Sequence, residues 1–348
     1  MMKPSNSSCK CFILLSLVIN LLACETPSEH QQAVVLSGLT MGTTYTIKLT
    51  VVDTKIDRAR ISTGVNQRLD NINAQMSTYM ETSRLSIINQ SNTRDWEEIP
   101  ADLYTVIEEA LRVNNLSYSA FDITIGPVVN LWGFGPKAQL EIVPDESTIR
   151  EALDSVGSQY IHLRKEPYAI NKAKPDLYID LSAIAKGYAV DVIADYLDEL
   201  SINNYMVEIG GEIKTRGINP DNKIWHIGIE KPLDDQRSVQ MVITLNNTAM
   251  ATSGDYRNYF EENGIRYSHT IDPSTGKPIT HKLASVTVLH PSAMTADAMA
   301  TALLVLGPER GSDLALRENL AALFIVRDKD NFIEIITPQF KRAVVNSE

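Results

Sequence analysis

Beyond position 24 the chain has no cysteine: Cys9, Cys11 and Cys24 all fall in its first stretch. A disulfide framework, a cysteine-held metal and a thiol nucleophile are therefore excluded from the body that follows. Long apolar runs are missing too. The one concentrated run, residues 12–22, follows Lys3 and Lys10 and is too short to cross a bilayer as a lasting helix. Basic residues are in deficit, 32 against 43 acidic ones for a net charge of -11, which argues against nucleic acid and against a polybasic membrane patch. Neither an internal repeat, a low-complexity tract nor a Pro/Gly/Ser linker interrupts the body, so any subdomains are interwoven.

What is present begins with a secretory signal. Its ending, Leu21, Leu22, Ala23, Cys24, resembles a bacterial lipobox, which implies cleavage before Cys24 and a lipid on that residue. Residues 1–23 are thus expected to be removed, 24–37 to form a lipidated tether, and 38–348 to form the catalytic body. At 44% hydrophobic and 22% charged residues, the body is ordinary globular material. Helical spacing runs over 56–76 and 101–116, where Leu103, Val106, Ile107, Ala110 and Leu111 share a face. TYTIKLTVV, YMVEIG, IWHIGIE, VQMVITL, ASVTVLH, LAALFIV and FIEII read as strands. Strands and helices interleave without a βαβ rhythm, which predicts an α+β fold of mixed, largely antiparallel sheets with packed helices.

Several stretches could carry chemistry. In MTADAMATALLVLG (294–307), Asp297 and Thr301 lie one turn apart on an otherwise apolar helix. Either they serve the helix, Asp through the macrodipole and Thr by bonding the carbonyl four residues back, or they are oxygen ligands for a hard cation. In DLYIDLSAIAKGYAVD (176–191), an apolar strand is expected to end at Asp180-Leu181, with Ser182 as N-cap of a helix bearing Lys186. A helix N-terminus beside a lysine suits an anion such as phosphate. The spacing of Ser182 and Lys186 is one residue too long for the S-x-x-K nucleophile, and Ile271 stands where a P-loop before Gly276-Lys277 needs glycine. In YSHTIDPSTGKPITH (267–281), His269 is a candidate general base and His281 is expected at the surface. TMGTTY, MSTYMETS and AFDITIGPVVNLWGFG read as ligand-contact loops whose Tyr79, Phe121 and Trp132 either stack on a flat ring or belong to the core.

Taken in order, TMGTTY, MSTY, AFDITIGPVVNLWGFGP, DLSAIAKGYAVD, VEIGGEI, SGDYRNYF, HTIDPSTGKP and TADAMATAL resemble the FAD:protein FMN transferases, the ApbE-type periplasmic flavin transferases, from about Leu39 to Ile336. The resemblance implies a flavin-transferase, T-fold-like architecture with FAD in a cleft. Carried over position by position, it implies that Met41, Tyr79, Ala120, Phe121, Asp122, Asp180, Lys186 and Ile271 line the FAD site. It likewise implies that the Ala183 carbonyl, Asp297 and Thr301 hold Mg²⁺. The implied reaction moves FMN from FAD to a Thr or Ser hydroxyl of an acceptor and releases AMP, with His269, Asp297 and Lys186 as the catalytic set. Implied partners are flavin-acceptor subunits of membrane electron-transfer complexes, of the sodium-pumping NADH:quinone oxidoreductase or Rnf type, met in the bacterial periplasm by a protein anchored at Cys24 to the inner or outer membrane. A Mg²⁺-dependent FAD pyrophosphatase needs nearly the same site, while a non-catalytic flavin-binding lipoprotein would not need the Asp297–Thr301 pair.

Overall fold

Alternation of period two puts successive side chains on opposite faces of a strand, and eight such segments pair into one sheet. In chain order they are Gln32–Thr40 (β1), Thr43–Val51 (β2), Tyr205–Ile209 (β3), Glu212–Arg216 (β4), Ala249–Gly254 (β5), Leu283–His290 (β6), Ala321–Asp328 (β7) and Asn331–Ile336 (β8). Their order across the sheet is their order in the chain, and every pairing is antiparallel. This computed structural model describes residues 32–51, 56–135, 143–233, 238–256, 258–329 and 331–345. Four longer helices are inserted between strands: Arg58–Met76 (α1), Ala101–Leu116 (α2), Ala185–Glu199 (α3) and Ala293–Arg317 (α4).

The sheet is covered on both faces, as β6 shows with seven of its eight residues buried. In β7, Ala322 and Phe324 join the core shared with Leu69, Leu103, Ile193 and Leu303 of the helices. Their neighbours Leu323 and Ile325 enter a second core with Trp225 and Leu245 of a separate hairpin and Phe340 of the C-terminal helix Pro338–Val345. The α+β expectation therefore holds, and so do the helices expected over 56–76 and 101–116.

Three expectations are corrected. The apolar stretch before Ser182 is not a strand: the Asn89 side chain exchanges hydrogen bonds of 2.8 Å with both backbone groups of Ile179, taking the place of a neighbouring strand. The tether does not reach residue 37, because β1 already pairs from Gln32 with Val51. The helix expected at 294–307 continues to Arg317 across a kink, where Gly307 has φ 79° and Pro308 starts the second segment. The expected signal 1–23, Cys24 and the tether up to residue 31 lie outside the described residues. Among the described residues no helix is long and apolar enough to cross a membrane.

Candidate active site: a charged cluster beside an aromatic wall

The pair Asp297–Thr301 sits in the second and third turns of α4, whose N-cap is Ser292, its Oγ accepting from the Thr295 N–H. No acidic residue falls in the first turn, so Asp297 is not there for the macrodipole. Nor is Thr301 spent on its own helix: its hydroxyl meets the Ser253 hydroxyl of β5 at 2.9 Å. Both side chains line a cleft of about 490 Å³ between the α3–α4 ends and the loops following β5 and α2.

Across from Asp297 lies the start of α3. Ser182 does not cap this helix. It is held in a tight turn by Asp180, whose Oδ1 accepts from the Ser182 N–H at 2.9 Å and hydroxyl at 2.5 Å, and Ile184 stands at the N-cap without a side-chain bond. The orphan donor of Gly187 is satisfied instead from α4, by Asp297 Oδ2 at 3.0 Å. That contact depends on glycine, since a Cβ at position 187 would stand 2.3 Å from the Ala293 carbonyl oxygen and 2.8 Å from Asp297 Cβ. With Gly187 turned to α4, the Ala183 carbonyl stays outside the helical ladder and on the cleft wall.

Lys186 extends into the same space, its Nζ 3.2 Å from Glu212 Oε1 and 3.6 Å from Asp297 Oδ2. Burial alone would lower the ammonium pKa, but Asp297 and Glu212 more than reverse this and hold it above the usual lysine value. Glu212 opens β4 directly after the Gly210-Gly211 hairpin turn, and a Cβ on Gly210 would press on Thr43 and Lys186. Sequence reasoning does not single out Glu212; the available signal is a carboxylate in VEIGGEI that opens a strand directly after a Gly-Gly turn. Its Oε2 is buried without a hydrogen-bond partner. Burial, with the Asp297 charge adding and Lys186 opposing, pushes its carboxyl up to about 8.

The opposite wall is apolar. Phe121, Ile123, Phe134 and Ile271 line it, and Tyr79, 71% exposed, stands at the mouth. Phe134 leads into a ring cluster with Phe260, Tyr267 and Trp132, so Trp132 is core, its indole N–H bonded to the Gly276 carbonyl at 2.8 Å. His269 lies edge-on to Phe134, with its Nδ1 2.9 Å from the Asn258 carbonyl oxygen. Only the N–H form of Nδ1 can make that bond, which leaves the lone pair on Nε2. Burial lowers the ring's pKa, partly offset by the Asn258 carbonyl, so the ring is neutral at pH 7. His281 is not at the surface as expected: both ring nitrogens are buried, and the ring packs on the Gly307 kink.

The cleft thus gathers Tyr79, Ala120, Phe121, Asp122, Asp180, Ala183, Lys186, His269, Ile271, Asp297 and Thr301. It does not gather Met41, which forms with Gly42 the two-residue turn between β1 and β2, both at positive φ, and packs at the edge of the main core. Asp122 lines the cleft by position only. Its Oδ1 accepts from the Thr124 N–H and hydroxyl and from the Ser158 hydroxyl, and its Oδ2 from the Ser158 N–H and Asn114 amide, so the carboxylate is consumed in holding its own loop.

The residues present fit a hard cation. Two buried acids, Asp297 and Glu212, share one ammonium; burial and this shortage of positive charge keep the Glu212 carboxyl raised, and its orphaned Oε2 sits within the cluster. The Asp297 carboxylate, the Thr301 hydroxyl and the Ala183 carbonyl are all oxygen donors, the kind Mg²⁺ prefers. Among the described residues no cluster of three His, Cys, Asp or Glu side chains is placed to hold a metal. The protein therefore offers a partial shell that water or phosphate oxygens would complete.

Residues 41–324 match the model of the ApbE family. The chain is 47% identical over 329 residues to the FAD:protein FMN transferase of Vibrio cholerae, covering 94% of this chain and 97% of that one. It is 44% identical over 342 residues to the enzyme of the same name from Haemophilus influenzae, covering 97% and 98%. Among solved structures, the flavin transferase ApbE from Vibrio cholerae superposes with a TM-score of 0.84 at 46% identity, covering 89% of this chain and 99% of that chain. The apo form of the flavinyl transferase ApbE from Pseudomonas stutzeri gives 0.83 at 37% identity, covering 90% and 97%.

Proposed function

From the premise that the chain belongs to the ApbE family, we propose that it is an FAD:protein FMN transferase that moves FMN from FAD onto a Thr or Ser hydroxyl of an acceptor protein and releases AMP. The observation that carries this reading is the charged cluster of Lys186, Asp297 and Glu212 at the start of α3, set against an aromatic wall in one cleft. The apolar wall of Phe121, Phe134 and Ile271, with Tyr79 at the mouth, suits the flat rings of FAD. The start of α3, with its dipole and Lys186, suits the pyrophosphate between them.

In the transfer, the acceptor oxygen forms a bond to the FMN-side phosphorus, and the bond from that phosphorus to the bridging oxygen breaks, its electron pair leaving with AMP. Neutral His269 takes the hydroxyl proton on Nε2, while the Asn258 carbonyl fixes the tautomer and ring orientation. Lys186 and the dipole of α3 offset charge on the transferring phosphoryl group. Mg²⁺, held by Asp297, Thr301 and the Ala183 carbonyl, would supply Lewis-acid polarisation of the phosphate oxygens when bound. Residues 1–23 would direct the chain to the periplasm and Cys24 would anchor it to a membrane. Acceptor subunits of the sodium-pumping NADH:quinone oxidoreductase or Rnf type would then lie within its reach.

The test mixes the protein from Glu25 onward with FAD, Mg²⁺ and an acceptor domain of that type, followed by a denaturing gel read by flavin fluorescence. A fluorescent acceptor band that disappears with EDTA is the expected result. Free FMN and AMP with a dark acceptor band would replace the transferase by a pyrophosphatase, and intact bound FAD would leave a flavin carrier.

A further inference from the structure

The most unusual feature of the cleft is where the Lys186 charge is spent. Its Nζ lies between two buried carboxylates, 3.2 Å from Glu212 Oε1 and 3.6 Å from Asp297 Oδ2, the same oxygen that receives the Gly187 N–H. Both acids are 3% exposed, so neither charge is screened by bulk water. Lysine carries a compact charge on a flexible stem, and this is the side chain that can change partners without moving the backbone. Glu212, by contrast, is fixed. It follows the Gly210-Gly211 turn, where φ is +59° and +103°, and Gly210 backs directly onto the Lys186 stem.

We infer that Lys186 is an internal stand-in for the cation: it neutralises Asp297 until a divalent metal binds there, and Glu212 is the positioning residue that receives it on displacement. This rests on the metal-dependent reading of the site given above. It follows that the unloaded cleft keeps its lysine from anionic ligands, and that cation and pyrophosphate bind in a coupled way through one side chain. Glu212 then sets the pose from which Nζ meets the pyrophosphate. Two buried acids sharing one ammonium make the exchange possible, since the arriving cation takes Asp297 while the ammonium stays with Glu212, and the one positive charge then in excess is left for the pyrophosphate to meet.

The experiment uses the FAD-free protein from Glu25 onward and Mn²⁺ as the probe, with calorimetric affinities for wild type, Lys186→Met and Glu212→Gln, and a crystal structure of the wild type with and without Mn²⁺. Removing the competing ammonium is expected to tighten Mn²⁺ about tenfold or more. Glu212→Gln, which leaves Lys186 no partner but Asp297, is expected to weaken Mn²⁺ by a similar factor. In the Mn²⁺ structure, Nζ should leave Asp297 and stay within reach of Glu212. Mn²⁺ bound at Asp297 with Nζ still beside it, or an unchanged affinity in Lys186→Met, overturns the stand-in role while leaving the metal site intact. Absence of Mn²⁺ binding in both wild type and Lys186→Met overturns the metal reading and this inference with it. Lys186→Met places two unpaired acids together, so Glu212→Gln, which removes one of them, keeps the test decisive if that variant is unstable.

Discussion

Asp122 and Asp297 are both buried carboxylates lining one cleft, at 8% and 3% exposure, yet they are opposites. Asp122 is saturated: side chains and N–H groups from Asn114, Thr124 and Ser158 fill both its oxygens, and together they tie the loop after α2 to the segment at Gly157-Ser158. Asp297 shows a backbone N–H and an ammonium, both on Oδ2, with a hydroxyl one turn further along its helix. A carboxylate whose acceptor sites are filled by the fold has nothing left to offer a ligand. One whose partners are a single N–H and a movable ammonium on one oxygen keeps acceptor capacity for a ligand, which is how a binding group is recognised.

That contrast is broken or sharpened by substitution. Asp297→Ala should lower FMN transfer by about a thousandfold or more while leaving the fold intact, since a ligand for charge stabilisation is lost; transfer assays and circular dichroism on the same sample check it. Next in size, His269→Gln should cost about a hundredfold or more in kcat. Because burial lowers its pKa from the ordinary imidazole value of 6.5, the wild-type base form persists through that pH, and kcat should fall only on further acidification. A fall centred above 6.5 would contradict the assignment. Asp122→Ala should act on the other side of the comparison, lowering stability by about 3 kcal/mol because several buried donors lose their acceptor, while the folded fraction keeps its turnover; denaturant titration beside single-turnover transfer separates the two. If a folded Asp122→Ala protein were inactive, the contrast would fail.

Smaller effects test what places Asp297. Gly187→Ala should push α4 from α3, costing about 2 kcal/mol by overpacking and weakening Mn²⁺ binding measured by calorimetry. The smallest effect concerns Glu212, whose carboxyl is raised from 4.5 to about 8 in the folded state. A raised pKa means that the folded form binds the proton more tightly, so its contribution to stability is complete below about 4.5 and is lost as pH rises through 8. The melting temperature of the metal-free protein should therefore decline between pH 5 and 8, and Glu212→Gln should flatten that decline.

Much of this molecule was legible from residue order alone. Period-two alternation located β2, strand-like runs bounded by turn residues located β3, β6, β7 and β8, and helical spacing located α1 and α2 to within about two residues. The motif containing Asp297 and Thr301 marked the helix and the face that carry the site, because one turn of α-helix fixes their neighbourhood whatever surrounds it. The apolar stretch before Ser182 reads as a strand but is not one, since an asparagine 90 residues away supplies its partner. The resemblance puts Met41 and Asp122 with the ligand; what residue order did not show is that the first also forms a hairpin turn and that the carboxylate of the second also holds a hydrogen-bond network.

The sequence by itself determined the elements, the absence of thiol chemistry in the body, and the identity of the oxygen and nitrogen groups available for a phosphate and a cation. Only the tertiary structure decided which of those groups meet. Glu212, 26 residues beyond Lys186, and Asp297, 111 beyond it, share one ammonium because β4 and α4 converge on the start of α3. The reason is physical: periodicity encodes which face of an element is buried, but the charge balance of a buried site depends on contacts between elements, and no local pattern in the chain records them.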